Sequence, residues 1–171
     1  MKRLVLIRHA KSSWSDPELE DFDRPLNHRG RMAAPVAGAW LAEAGLTPDH
    51  VLLSPARRCV ETWERMARQL DHPPAPRLEP ELYMADPDTM LRILRNAPAT
   101  AGTVLLIGHQ PGLSSLARRL AGGEVPASCQ RAFRKFPTAA VAVIAFDIAD
   151  WAEADFGKGV FRSFVTPRDL V

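Results

Sequence analysis

Cysteine is nearly absent from this chain: Cys59 and Cys129 are the only two among 171 residues. They lack metal-ligand spacing and make no disulfide framework, so both are read as packing residues of a protein in a reducing compartment. An excess of charge is lacking too. The 22 basic and 20 acidic residues leave a formal net charge of +2, which gives no ground for a nucleic-acid footprint and makes any basic surface a local one. Long apolar runs are also missing. The first run, Leu4 to Ile7, is stopped by Arg8, far short of a secretory core or of the roughly 20 residues a membrane helix needs. No signal peptide, no membrane segment and a cytoplasmic location are therefore expected. There is no internal repeat and no low-complexity tract. A chain of this length is expected to form one domain, residues 1–171, with a substantial core.

What is present is an alternation of short apolar runs with helical patterns. Leu4 to Ile7, Val51 to Ser54 and Thr103 to Ile107 read as short strands buried on both faces, and Ala139 to Phe146 and Val160 to Val165 as two more. Between the first two, Asn27 is a candidate N-cap for a helix with Met32, Val36, Trp40 and Leu41 on its core face, ending at Gly45. Pro35 is expected to delay or kink that helix. Ser54 and Pro55 read as N-cap and first residue of the next helix, whose stripe is Cys59, Trp63, Met66 and Leu70. Asp86 and Pro87 open a helix with Met90, Leu91 and Leu94 inward, and Gly108 to Gly112 opens another with Leu113, Leu116 and Leu120. Gly122 to Lys135 reads as a polar, basic loop. The alternation implies an α/β fold: a three-layer α/β/α sandwich with a mainly parallel central sheet.

The chemistry sits at the strand ends. Arg8, His9 and Lys11 follow the first strand, Arg57 and Arg58 fall in the first turn of the helix after the second, and His109 follows the third. Ligands of open parallel sheets bind beyond the carboxyl ends of the strands. A helix N-terminus already carries positive partial charge, so two arginines there are unfavourable unless an anion offsets them or solvent takes at least one of the pair. If the three strands are adjacent, two imidazoles and two guanidiniums converge on one anion-sized pocket.

The stretches Leu6-Ile-Arg-His-Ala-Lys-Ser12, Ser54-Pro-Ala-Arg-Arg-Cys-Val-Glu-Thr62 and Ile107-Gly-His-Gln-Pro-Gly112 resemble the three signatures of the histidine phosphatase superfamily, in the branch of the phosphoglycerate mutases. Asp23-Arg-Pro-Leu-Asn-His-Arg-Gly30, the Ser-Pro opening of the arginine helix and the short chain are similar to its SixA-like phosphohistidine phosphatases. The resemblance implies the phosphoglycerate mutase-like fold and a metal-independent phosphatase in which His9 takes the phosphoryl group covalently. It implies further that Arg8 and Arg58 hold the phosphoryl oxygens, with His109, if protonated, as a third donor. Cationic side chains then do the work of Mg²⁺, and neither metal nor cofactor is expected.

Arg24, Lys11 and Ser12 are candidate phosphate ligands by the same resemblance. Arg24 has two readings, lining the pocket or pairing with Asp21 or Asp23. Arg57 is read as a neighbour of the phosphate-binding Arg58. The family's general acid has only Glu81 and, second to it, Asp86 as candidates here, and neither sits in an acid motif. A phosphohistidine substrate fits that lack, because imidazole leaves more readily than an alkoxide. The expected substrate is therefore phosphohistidine on a partner protein. Small phosphate monoesters are the alternative, followed by mutase chemistry and a non-catalytic phosphate-binding adaptor. His28, His50 and His72 are read as surface residues, Trp40, Trp63 and Phe146 as core, and Trp14 as a possible flank of the entrance.

Overall fold

Leu4, Val5, Leu6 and Ile7 are wholly buried in the central strand β1 (Lys2–Arg8). Alternate side chains leave a strand on opposite faces, so Leu4 and Leu6 join one hydrophobic cluster while Val5 and Ile7 join another. The structure, a computed structural model, describes residues 1–171. One sheet gathers β1, β2 (His50–Leu53), β3 (Arg77–Leu78), β4 (Thr103–Gly108), β5 (Val141–Phe146) and β6 (Val160–Val165) in the order β3-β2-β4-β1-β5-β6. The first four run parallel, whereas β5 is antiparallel to both β1 and β6. The mainly parallel sheet and the α/β class are thus as the sequence implies.

Helices α1 (His28–Glu43) and α2 (Arg57–Ala67) cover one face of the sheet, with Leu41, Cys59, Trp63 and Met66 packed on Val5 and Ile7. Helices α3 (Pro87–Arg95), α4 (Gly112–Leu120) and the short α5 (Ala127–Gln130) cover the other, where Leu94, Leu116 and Phe136 meet Leu4 and Leu6. Asn27 caps α1 by accepting from the Gly30 N–H at 2.9 Å, and Asp86 caps α3 by accepting from Thr89 at 2.8 Å.

Four local expectations are corrected. The core face of α1 consists of Gly30, Ala34, Ala37, Gly38 and Leu41, while Met32 is 62% exposed. The reason is close approach: a Cβ on Gly38 would lie 2.6 Å from the Met66 carbonyl oxygen, so only small residues fit against α2. Of the two outcomes expected at Pro35, the delayed start is not found, since α1 begins at His28 and runs through it. Ser54 does not cap α2, which begins at Arg57 behind Ala56; its hydroxyl is drawn elsewhere, as described below. The Gly122 to Lys135 stretch is not wholly loop, since it contains α5 and a 3-10 turn at Arg131–Phe133.

Candidate active site

Strand β4 lies between β1 and β2, with Gly108 level with Arg8 and Ile107 level with Leu53. The residues that follow these three strand ends therefore emerge side by side, which brings His9, Ser54 and His109 together. His9 and His109 open on a cavity of about 700 Å³ lined also by Arg8, Lys11, Ser12, Trp14, Arg24 and Arg58, with Ser54 buried behind His109.

The turn after β1 is tied down from several sides. Ala10 N–H donates to Thr62 Oγ1 at 2.9 Å, and Thr62 Oγ1 donates to the Arg58 carbonyl at 2.6 Å, so one buried hydroxyl joins the His9 turn to the helix carrying Arg58. Ala139 N–H lies 2.9 Å from the Arg8 carbonyl and 3.1 Å from that of His9. Gly30, at the start of α1, lies so near Lys11 that a Cβ there would be 2.1 Å from its carbonyl oxygen. Such cross-links limit motion of the imidazole they flank.

His9 is 6% exposed, and its Nδ1 lies 2.7 Å from the Ala10 carbonyl, which can only accept. The proton is therefore on Nδ1, and Nε2 presents a lone pair, met by Arg58 Nε–H at 3.3 Å. Burial foremost, then Arg58, His109 and Arg8, push the His9 pKa down to about 3, against the Ala10 carbonyl, which raises it. The imidazole is neutral at physiological pH.

His109 is neutral as well. Arg58 Nη2 donates to its Nδ1 at 3.3 Å, so the ring proton sits on Nε2 and is donated to Ser54 Oγ at 2.7 Å. Burial and then Arg58 lower its pKa to about 4. In this state His109 turns an acceptor toward the arginine, and a second ring proton is what would make it the third donor.

Arg58 is 3% exposed and makes four hydrogen bonds: to His9, to His109 and two to Asp21, through the Asp21 carbonyl at 2.7 Å and Oδ2 at 3.0 Å. Asp21 Oδ1 also accepts from Arg24 Nη1 at 2.8 Å, and the Tyr83 hydroxyl donates to Oδ2. Burial alone would raise the Asp21 pKa, but the Tyr83 hydroxyl, Arg58 and Arg24 outweigh it and hold the carboxyl down to about 2. Both readings of Arg24 are met: it lines the cavity and pairs with Asp21, not Asp23. It also donates to Ser12 Oγ and stacks on Trp14 at 3.3 Å from the ring centroid. Arg8 donates through Nη1 to the Phe136 carbonyl at 3.0 Å, and its buried Nε has no partner.

Glu81 is not brought to the cavity. It is exposed and ion-paired with Arg92 of α3, while Asp86 caps that helix. Asp21 is the one carboxylate in the lining. Arg57 turns outward to Glu61. Burial pushes the Cys59 thiol up to about 12, so it is inert packing against the site. No group of three or more His, Cys, Asp or Glu side chains gathers that could hold a metal ion. Sequence reasoning missed Asp21, Ser54, Thr62 and Tyr83 as parts of the site. Thr62 stood within a quoted motif and Ser54 was read as a cap, but no spacing singles out Asp21 among its acidic neighbours.

An α/β sheet whose strand ends surround one cavity with two neutral imidazoles and four guanidiniums is built to receive an oxyanion. The family model of the histidine phosphatase superfamily (branch 1) matches residues 4–83. An uncharacterized protein of Mycobacterium tuberculosis is 35% identical over 164 residues, 95% of this chain and 100% of its own length. The phosphohistidine phosphatase SixA of Escherichia coli is 25% identical over 170 residues, covering 98% of this chain and 96% of that one. A solved structure described as a putative phosphohistidine phosphatase SixA from Nakamurella multipartitia superposes with a TM-score of 0.84 at 27% identity, covering 97% of this chain and 96% of the other. The chain belongs to the histidine phosphatase superfamily, branch 1, and is SixA-like within it. Its class of activity is that of a phosphatase. No helix is long and apolar enough to cross a membrane.

Proposed function

We propose that this protein hydrolyses phosphohistidine on a partner protein through a covalent intermediate on His9. The observation that carries the reading is a neutral imidazole with Nδ1–H fixed on the Ala10 carbonyl, so that the lone pair of Nε2, met only by a long bond from Arg58, is the nucleophile in a cavity whose one carboxylate is ionised. Nε2 attacks phosphorus and forms the new P–N bond as the bond to the substrate imidazole breaks. The bonding pair leaves with that imidazole, which departs neutral if its other nitrogen carries a proton. Water then attacks phosphorus, releases inorganic phosphate and restores His9.

Arg8 and Arg58 take the phosphoryl oxygens, with Arg24, Lys11 and Ser12 at the rim. The Arg8 Nε–H gains the acceptor it lacks, and a buried donor left unpaired costs about 1–3 kcal/mol. A dianion beside His109 raises its pKa and favours a proton on Nδ1, from which it donates to the phosphoryl group. Asp21 accepts protons but holds none to give at neutral pH. An alkoxide leaving group would have no carboxylic acid to protonate it, which supports the phosphoramidate over the phosphate monoester.

The test is mass spectrometry after an acid-free quench, in EDTA, with a phosphohistidine-bearing protein and separately with an aryl phosphate. A phosphate adduct on His9 that forms and decays faster with the protein donor is expected, and His9→Ala loses it. Turnover of the aryl phosphate alone would sink the phosphohistidine assignment and keep the nucleophile. No adduct and no turnover with either would leave a phosphate-binding adaptor.

A further inference from the structure

Beside the catalytic cavity lies a second cleft of about 500 Å³ that shares Lys11, Arg29, Lys135, Pro137 and Thr138 with it. Its cations come from four separate segments: Lys11 after β1, Arg29 in α1, Arg131, Arg134 and Lys135 after α5, and Arg168 near the C-terminus. Only Arg131 has an acidic partner, Asp169; the other five make no ion pair. The whole chain carries +2 net, so this gathering does not reflect a general excess of base. Five unpaired cations around one concavity give it a positive potential that solvent only partly screens and that anions entering it would relieve.

We infer that this cleft docks acidic side chains of the protein that presents the phosphoryl group. The inference rests on the function proposed above and gives the partner a chemistry: carboxylates flanking its phosphorylated histidine. Several features favour a protein face over a small ligand. All six cationic side chains are exposed, no buried polar group converges on a single anion, and the cleft runs into the phosphoryl pocket. One small anion engages two or three donors, whereas a row of carboxylates matches cations spread along an open groove.

Arg134 and Arg168 line this cleft and not the catalytic cavity, so Arg134→Glu with Arg168→Glu isolates it. The probes are two synthetic peptides with the same phosphohistidine, one flanked by Glu and one by Gln, with phosphoramidate as the small donor. The wild-type kcat/KM is expected to favour the Glu peptide by about tenfold at low salt, with a gap that closes as salt rises. The double variant is expected to lose that preference and to keep its phosphoramidate turnover and melting temperature. Equal rates on the two peptides, or a preference that survives the double variant, overturns the inference. A parallel loss of phosphoramidate turnover overturns it too, since the cleft would then belong to the catalytic pocket.

Fluorescence anisotropy with the unphosphorylated Glu peptide separates this inference from the proposed function. Wild-type binding that the double variant abolishes, without turnover of either phosphopeptide, keeps the docking site and removes the substrate assignment. Tighter binding to an oligonucleotide or to anionic lipid vesicles than to the Glu peptide overturns the acidic-protein occupant. Arg134→Gln with Arg168→Gln, a milder pair, is expected to give an intermediate preference.

Discussion

Thr62→Val tests whether one hydroxyl holds the two halves of the site in place. Valine keeps the shape of threonine, so the fully buried packing around residue 62 is retained and only the oxygen is lost. The Arg58 carbonyl keeps its place in the helical ladder of α2, but the Ala10 N–H loses its acceptor at 2.9 Å. A buried donor left unpaired costs about 1–3 kcal/mol. For a chain of this size each kcal/mol lowers Tm by roughly 2–4 °C, so a drop of about 4–8 °C is expected for a loss near 2 kcal/mol. The same bond positions the turn that orients His9, so kcat is expected to fall by about tenfold or more, because small misplacements of reacting groups are costly. Differential scanning fluorimetry and steady-state turnover of phosphoramidate measure both effects. Thr62→Ser restores the hydroxyl and is expected to recover most of kcat. A Thr62→Val protein that melts and turns over like the wild type would refute the reasoning.

Acid is expected to destabilise the fold through its two site histidines. The folded pKa values of His9, about 3, and His109, about 4, lie below the ordinary 6.5, so the unfolded chain binds more protons between those limits. Stability from these groups is full above about pH 6.5 and is lost as pH falls toward 4 and 3; a Tm unchanged from pH 7 to pH 4.5 would contradict this. Ser54→Ala removes the acceptor of the buried His109 Nε2–H, leaving only the weak Cys59 sulfur at 3.6 Å. It is expected to lower Tm by about 2–12 °C and reduce kcat, and unchanged kinetics would show that Ser54 does not hold the ring. Asp21→Asn frees Arg58 from its charged partner, and product inhibition by inorganic phosphate is expected to tighten by about two- to fivefold. The effect is modest because the Asp21 side chain is 45% exposed, and weaker phosphate binding would refute the competition.

The site residues were legible because His9 and His109 stand just past the ends of β1 and β4, and Arg58 in the first turn of the helix after β2, where polarity has no packing explanation. His9 and His109 emerge from neighbouring strands and Arg58 from the helix that follows a third, so position along the chain translated directly into position in space. The core face of α1 was not legible. Periodicity weights large apolar residues, but a helix pressed against the Met66 backbone selects the small ones, Gly38 among them. Asp21 was illegible for a different reason. It reaches Arg58, 37 residues away, by the fold of a loop that no hydrophobic pattern describes. The Ser54 hydroxyl fits a cap as well as a histidine acceptor on sequence grounds, and only the register of β2 beside β4 decides between them.

The carboxylate of Asp21 gives the cavity an internal counter-ion. Because it is tethered, it confronts Arg58 and Arg24 at an effective concentration in the millimolar range or above, whatever the solution holds. An ion from solvent gains only the difference between its own contacts and those it displaces. A singly charged buffer anion repays little more than the Asp21 contacts it displaces, whereas a phosphoryl group brings two charges and three oxygens, enough to meet Arg58 and also the unpaired Arg8 Nε–H. The resting site thereby carries a threshold that discriminates by charge before any feature of the substrate beyond its phosphoryl group is read.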